Sequence, residues 1–181
     1  MRSQYFIDWY TGTPMDIYVS FGVDTLADFG EYSTRVNNEV IVQLAAGAKL
    51  LLPLPSYAMS AAVAADLGPI TAIRDEYEPR AEVWGFYIEE PNIKGWTPDT
   101  VGAVTAVFAV KSVVTMLQQF SATPQDYLDY GQKTDILAAF RYPLFQYERE
   151  WTNIEDIGTT LSHARAGNSN FWFSVQAFDG R

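Results

Sequence analysis

At 181 residues, with 48% hydrophobic and 15% aromatic side chains, the chain can bury a sizeable core as one domain, and disorder is excluded. Charge is sparse at 19% but lopsided: 22 Asp and Glu oppose 12 Lys and Arg, and the formal net charge of −10 argues against nucleic acid and anionic membranes as partners. There is no cysteine, so disulfide and thiolate chemistry are excluded, and the single histidine, His163, argues against a histidine-based zinc site.

Residues 5–10 (YFIDWY) are aromatic and β-branched, stop at Thr11-Gly12-Thr13-Pro14, and predict a first strand. Residues 23–29 alternate apolar with polar and predict a second. Ser33 is a suitable N-cap for a helix to about Ala46, with Val36, Val40, Ile41 and Leu44 on one face and Gly47 as its stop. The run 48–54 (AKLLLPL) has the continuous apolar character of a parallel strand buried on both faces.

An Ala-rich helix over 56–67 is broken at Gly68-Pro69, and a second helix runs from Pro69 to about Tyr77. Residues 83–88 (VWGFYI) form the clearest strand, closed by Glu89-Glu90-Pro91. Thr97-Pro98-Asp99 opens a helix to about Val110, since Thr caps, Pro suits the first turn and Asp favours the positive helix end. Residues 112–117 are too short to divide strand from helix by periodicity. A strand over 136–140, a helix over 154–166 stopped by Gly167, and a last strand over 171–178 complete the reading.

This alternation predicts a single α/β domain over residues 1–181, a TIM-barrel-like (β/α) barrel of about seven parallel strands. Leu50, Leu52, Val83, Ile88, Ile136, Leu137, Phe173 and Val175 are its expected core. No signal-peptide pattern precedes the first strand and no apolar stretch is long enough to span a bilayer, so a soluble chain without membrane association is expected, its compartment open. No phosphate-cradling glycine loop occurs, and no cofactor or metal is implied.

Several motifs recur in order: Phe6-Ile7-Asp8-Trp9-Tyr10, Gly22-Val23-Asp24-Thr25, Ala45-Ala46-Gly47-Ala48-Lys49-Leu50-Leu51-Leu52, Gly85-Phe86-Tyr87-Ile88-Glu89-Glu90-Pro91 and Thr97-Pro98-Asp99. Asp135-Ile136-Leu137 with Tyr142-Pro143, and Val175-Gln176-Ala177-Phe178, follow. Together they resemble the barrel domain of glycoside-hydrolase-like proteins across nearly the whole chain. Two features depart from that pattern: Glu89 stands where the family usually has Asp, and the chain stops three residues after Phe178, before a last helix and an eighth strand.

The resemblance implies a carbohydrate partner and a general acid/base role for the Glu of the strand-end motif, here Glu90 with Glu89 beside it. Glycosidic cleavage needs a second carboxyl, and Asp179, just past the last strand, is the first candidate, with Asp8, Asp28 and Glu31 as others. Gln176 occupies a position where a Glu would be the stronger signal. Trp9, Tyr10, Tyr57 and Tyr142 fall near strand ends, where aromatic faces stack on sugar rings, and Arg141 suits a carboxylate or sugar hydroxyl.

Each of these residues also has a plainer role, as a solvated acidic turn, rim packing, or a surface pair such as Arg141 with Glu148. Three functions follow: a glycosidase working through Glu90, a non-catalytic carbohydrate-binding or structural relative, or a fragment of a longer barrel enzyme. An open barrel would also leave 5–10 and 171–178 as aromatic edges, so self-association into a homo-oligomer is expected.

Overall fold

The computed structural model describes residues 2–3, 6–7, 14–15, 17–19, 26–43, 48–117, 122–141 and 154–175. A seven-stranded sheet runs in the order β1 (Arg2–Ser3), β4 (Ile17–Val19), β5 (Lys49–Pro53), β6 (Val83–Glu89), β7 (Ser112–Met116), β8 (Ile136–Arg141), β9 (Phe171–Val175). From β4 onward the five successive pairings are all parallel, whereas β1 lies antiparallel to β4. Parallel neighbours taken in chain order require a crossover at every step, and crossovers of one hand deliver their helices to one face. The fold is therefore α/β with a sequentially ordered parallel sheet, and among the described residues no pairing joins its two end strands.

The first two elements differ from the sequence expectation. Within 5–10, the described residues Phe6–Ile7 form β2, which pairs antiparallel with β3 (Pro14–Met15) in a separate two-stranded sheet. Of the expected strand over 23–29, Leu26 to Asp28 are non-strand and Phe29 opens helix α1 (Phe29–Arg35). Asp28 is the reason: its carboxylate accepts the Glu31 N–H at 2.9 Å while Glu31 Oε2 accepts the Ala27 N–H at 3.2 Å. These two carboxylate acceptors start the helix ahead of Ser33. A π-helical stretch, Val36–Val40, and a 3-10 turn, Ile41–Gln43, continue it.

Beyond residue 48 the expected elements are present, with two helices added that the sequence reading does not include, over Pro91–Lys94 and Pro124–Gly131. Helices α2 (Ser56–Val63) and α3 (Gly68–Tyr77) separate β5 from β6. The one-turn helix α4 (Pro91–Lys94) and α5 (Pro98–Thr105) lead to β7, and Thr97 Oγ1 caps α5 by accepting the Thr100 N–H. Two further helices lie between β7 and β9, one on each side of β8: α6 (Pro124–Gly131), capped by a reciprocal Thr123–Asp126 pair, and α7 (Ile154–Gly167). Residues 112–117, ambiguous by periodicity, include strand β7.

The sheet has two apolar faces. Leu50, Leu52, Phe86, Ile88, Val113, Leu137 and Ala139 pack with helix residues including Ile70, Ile73, Val101, Val104, Tyr127 and Ala164. Leu51, Tyr87, Val114, Ile136 and Ala138 form a second buried cluster with Trp84, Met116 and Trp172 on the opposite face. Leu50, Leu52, Val83, Ile88, Ile136 and Leu137 are all buried as the sequence indicates, each such side chain contributing about 1.5–3 kcal/mol. The side chains of Phe173 and Val175 lie outside the described residues.

Trp84 on β6 and Trp172 on β9 meet at 4.9 Å between ring centroids although β7 and β8 lie between them. Three strand spacings in a flat sheet would separate the strands by roughly 14 Å. The contact thus requires the sheet to curl toward its helix-free face. Gly85 sets the phase of β6 on that face. Pairing passes from Leu50↔Val83 to Leu51↔Gly85, so Trp84 is the extra residue of a bulge. A Cβ at Gly85 would lie 2.6 Å from the Ser112 carbonyl oxygen. Beyond the bulge Phe86 and Ile88 face the helices while Tyr87 faces the concave side.

Two observations carry stability predictions. A Cβ at Gly167, the last residue of α7, would fall 2.0 Å from the Tyr127 carbonyl oxygen of α6, whereas one at Gly158 of the same helix meets nothing within 4 Å. Gly167→Ala should cost about 3 kcal/mol or more, while Gly158→Ala should stabilise by about 0.5–1 kcal/mol. Chemical denaturation of both variants checks the contrast, and equal effects would mean that α6 and α7 do not cross at this distance.

Glu78 supplies the second. Its Oε1 accepts the backbone N–H groups of Ala109, Val110 and Lys111 at 2.9, 2.7 and 3.0 Å, pinning the turn into β7. Burial alone would raise this carboxyl, but the three donors, helped by Arg74, outweigh it and hold it below its ordinary value. Its stabilising contribution is present above the unfolded value and is lost as pH falls through the folded one. Glu78→Gln should cost about 1 kcal/mol at neutral pH, and the gap to the unaltered chain should narrow in acid. A gap independent of pH would show that charge plays no part in the clamp.

Candidate functional site

The C-terminal ends of parallel strands form the rim where (β/α) folds place their chemistry, because the strand-to-helix loops converge there. Strand β6 ends at this rim with Glu89, whose place two residues after Tyr87 puts it on the concave face. Lys94 Nζ lies 3.1 Å from Glu89 Oε2, both side chains being 25% exposed. The Tyr87 hydroxyl lies 3.5 Å from Glu89 Oε1 and 3.3 Å from the Met116 sulfur on β7. Lys94 Nζ also stands 5.3 Å from the centroid of the buried Trp96 ring.

Glu90 is held in the left-handed region, with φ 50° and ψ 48°. A residue bearing a Cβ adopts this conformation at a cost of about 1 kcal/mol, so the surroundings must impose it. They do so from both sides. The Glu90 N–H donates to the Met116 carbonyl at 2.8 Å, and the Glu90 carbonyl accepts the Ile93 and Lys94 N–H groups at 3.1 Å each. The Trp96 N–H returns to the Pro91 carbonyl at 3.1 Å, Gly95 closes the turn at φ 75°, and the Tyr130 hydroxyl of α6 donates to the Trp96 carbonyl at 2.9 Å. Ala65, at φ 62°, is the other described non-glycine residue in this region and follows α2.

The Glu90 carboxyl is half-buried and makes no hydrogen bond or ion pair among the described residues. Burial raises it above its ordinary value, the adjacent negative charge of Glu89 adds to the rise, and Lys94 offsets part of it. Two neighbouring carboxyls thus sit in unlike settings. Glu89 is bound to a cation, while Glu90 is partly desolvated.

The remaining candidates are placed as follows. Asp28, the N-cap of α1, and Glu31, in its first turn, each accept a backbone N–H at the start of that helix. Tyr57 is in the first turn of α2, just past the end of β5; its ring packs against the helix-side core and its hydroxyl is buried with no hydrogen-bond partner among the described residues. Burial, then the charge of Asp28, push that hydroxyl up to about 12, so α1 and α2 bring these two residues near each other at the same rim. Arg141 ends β8, its backbone in register with Val175. Asp8, Trp9, Tyr10, Tyr142, Gln176 and Asp179 lie outside the described residues.

Lys94 was not among the sequence candidates, although its spacing from Glu90 is the i to i+4 step of a single helical turn. Among the described residues no group of three or more His, Asp or Glu side chains could hold a metal ion, and no helix is long and apolar enough to cross a membrane. No protein-family model, curated protein or solved structure matches the chain.

The strained backbone and the desolvated carboxyl both weigh on the fold at Glu90. Because the folded carboxyl titrates above its unfolded value, its contribution is complete below the unfolded value and is lost as pH rises through the folded one. Glu90→Gly should therefore stabilise the protein by about 1 kcal/mol at neutral pH, with a smaller gain in acid. Thermal unfolding at two pH values tests it; a less stable variant would make Glu90 a structural residue.

Proposed function

We propose that the chain is a glycoside-hydrolase-like enzyme that acts on a carbohydrate by carboxylate acid/base catalysis, with Glu90 as the proton donor. The observation that carries this reading is Glu90 itself: a partly desolvated carboxyl without a described partner, in a strained backbone conformation, at the C-terminal end of a parallel strand. Such a group keeps its proton at a pH where an ordinary glutamate has lost it, which a general acid requires. Strain maintained by hydrogen bonds on both sides is a mark of functional positions more than of turns chosen for stability.

A specific observation favours a second reading, a non-catalytic carbohydrate-binding relative. Glycosidic hydrolysis uses two carboxyls, yet Asp28 and Glu31 spend theirs on a helix cap and Glu89 spends its own on Lys94. Under the enzymatic reading the base or nucleophile comes from Asp8 or Asp179, and the concave face beside Tyr87 and Met116 receives the sugar.

Chromogenic glycosides separate the two readings. Glu90→Gln should lower kcat by about a hundredfold or more, as loss of a general acid does, while the fold is retained. In the unaltered chain activity should fall as pH rises through the raised Glu90 value, since the donating form is then lost. Full activity in Glu90→Gln would remove Glu90 from the chemistry. No hydrolysis by the unaltered chain, together with measurable oligosaccharide binding, would favour the binding relative.

A further inference from the structure

Building on the reading of Glu90 as proton donor, we propose that Lys94 is the positioning residue of this rim, clamping the Glu89 carboxylate at a fixed place beside Glu90. Two adjacent carboxylates repel, and the effect of one charge on its neighbour depends on where that charge is held. The turn built on residues 90–96 fixes where the Glu89 charge sits. Its one-turn helix α4 carries Lys94 back over the strand end, and its closing hydrogen bonds fix where the ammonium group can reach.

Lys94 is constrained on two sides. Its ammonium group meets Glu89 Oε2 at 3.1 Å and stands 5.3 Å from the Trp96 ring centroid, a distance at which the ring face attracts a cation. Trp96 cannot yield, because it is buried and its carbonyl accepts the Tyr130 hydroxyl from α6. Glu89 is met on its other oxygen by the Tyr87 hydroxyl, which also contacts the Met116 sulfur. The clamp therefore ties three elements, β6, β7 and α6, to one carboxylate. The charges acting on Glu90 are those of Glu89 and Lys94; Tyr87 is the other titratable group at Glu89, and β7 brings to it the Met116 thioether, which does not titrate.

A lysine acting only as a nearby charge and a lysine acting through Glu89 predict different results. The test is the titration of the Glu90 side-chain carboxyl by carbon-13 NMR in the unaltered chain, Lys94→Met, Glu89→Gln and the double variant. Lys94→Met should raise the Glu90 midpoint and Glu89→Gln should lower it. The rise should be larger with Glu89 present than in the Glu89→Gln background, because only then is a second carboxylate released. Lys94→Arg, which keeps a cation on the ring and the carboxylate, should restore most of the original midpoint.

An equal rise in both backgrounds, or none, would overturn the clamp. Should Lys94→Met fail to fold, Lys94→Gln in the same two backgrounds reads the same difference. These titrations need no substrate. An unaltered chain that hydrolyses no glycoside would reject the enzymatic reading, whereas additive titrations would reject the clamp even in an active enzyme.

Discussion

Parallel pairing in strict chain order is the constraint on which the rest of this structure depends. Each step from β4 to β9 adds the next strand on the same side, so the chain never reverses direction across the sheet. With crossovers of one hand, helices accumulate on one face and leave the other without them. That second face is still apolar, with Leu51, Tyr87, Val114, Ile136 and Ala138 buried on it. Among the described residues this face is covered by contacts between its own strands, such as Trp84 with Trp172, and no pairing closes the sheet. Glu89 falls on the concave face because the bulge at Trp84, near the start of β6, shifts the alternation of that strand by one residue.

How much of this was legible in the residues varied along the chain for physical reasons. Strands β5, β6 and β8 announce themselves because strands buried on both faces are apolar almost without interruption, a pattern few loops imitate. The described part of the strand expected over 5–10, Phe6–Ile7, is a strand but pairs locally with Pro14–Met15, because β-propensity says that a segment fits some sheet, not which one. Asp28 was read as a residue following a strand when it caps a helix; Asp with Glu three residues on is a capping signature that the preceding alternation obscured. The α6 helix was overlooked although Thr123-Pro124-Gln125-Asp126 repeats the Thr97-Pro98-Asp99 logic used to find α5.

At the candidate site, position was legible and electrostatics were not. A strand followed by Glu-Glu-Pro puts two carboxyls at a strand end whatever the tertiary fold. Which of the two is bound to a cation depends on α4 folding back, and four residues between apolar segments carry too weak a periodicity to reveal a helical turn. The left-handed conformation of Glu90 was equally hidden, since glycine is the residue that usually signals it and here a glutamate is forced into it by hydrogen bonds from β7 and α4.

The Trp84–Trp172 contact has an optical consequence. Indole rings whose centroids are 4.9 Å apart couple their electronic transitions, and coupled chromophores held at a fixed angle give an exciton couplet in circular dichroism. The partners come from strands separated by two others, so the couplet exists only while β6 through β9 hold their curl. Helix content, read at other wavelengths, reports on the outer layer. The molecule thus carries separate spectroscopic signatures for its helical layer and for the bending of its sheet, and loss of the second before the first would reveal an opened sheet with its helices still formed.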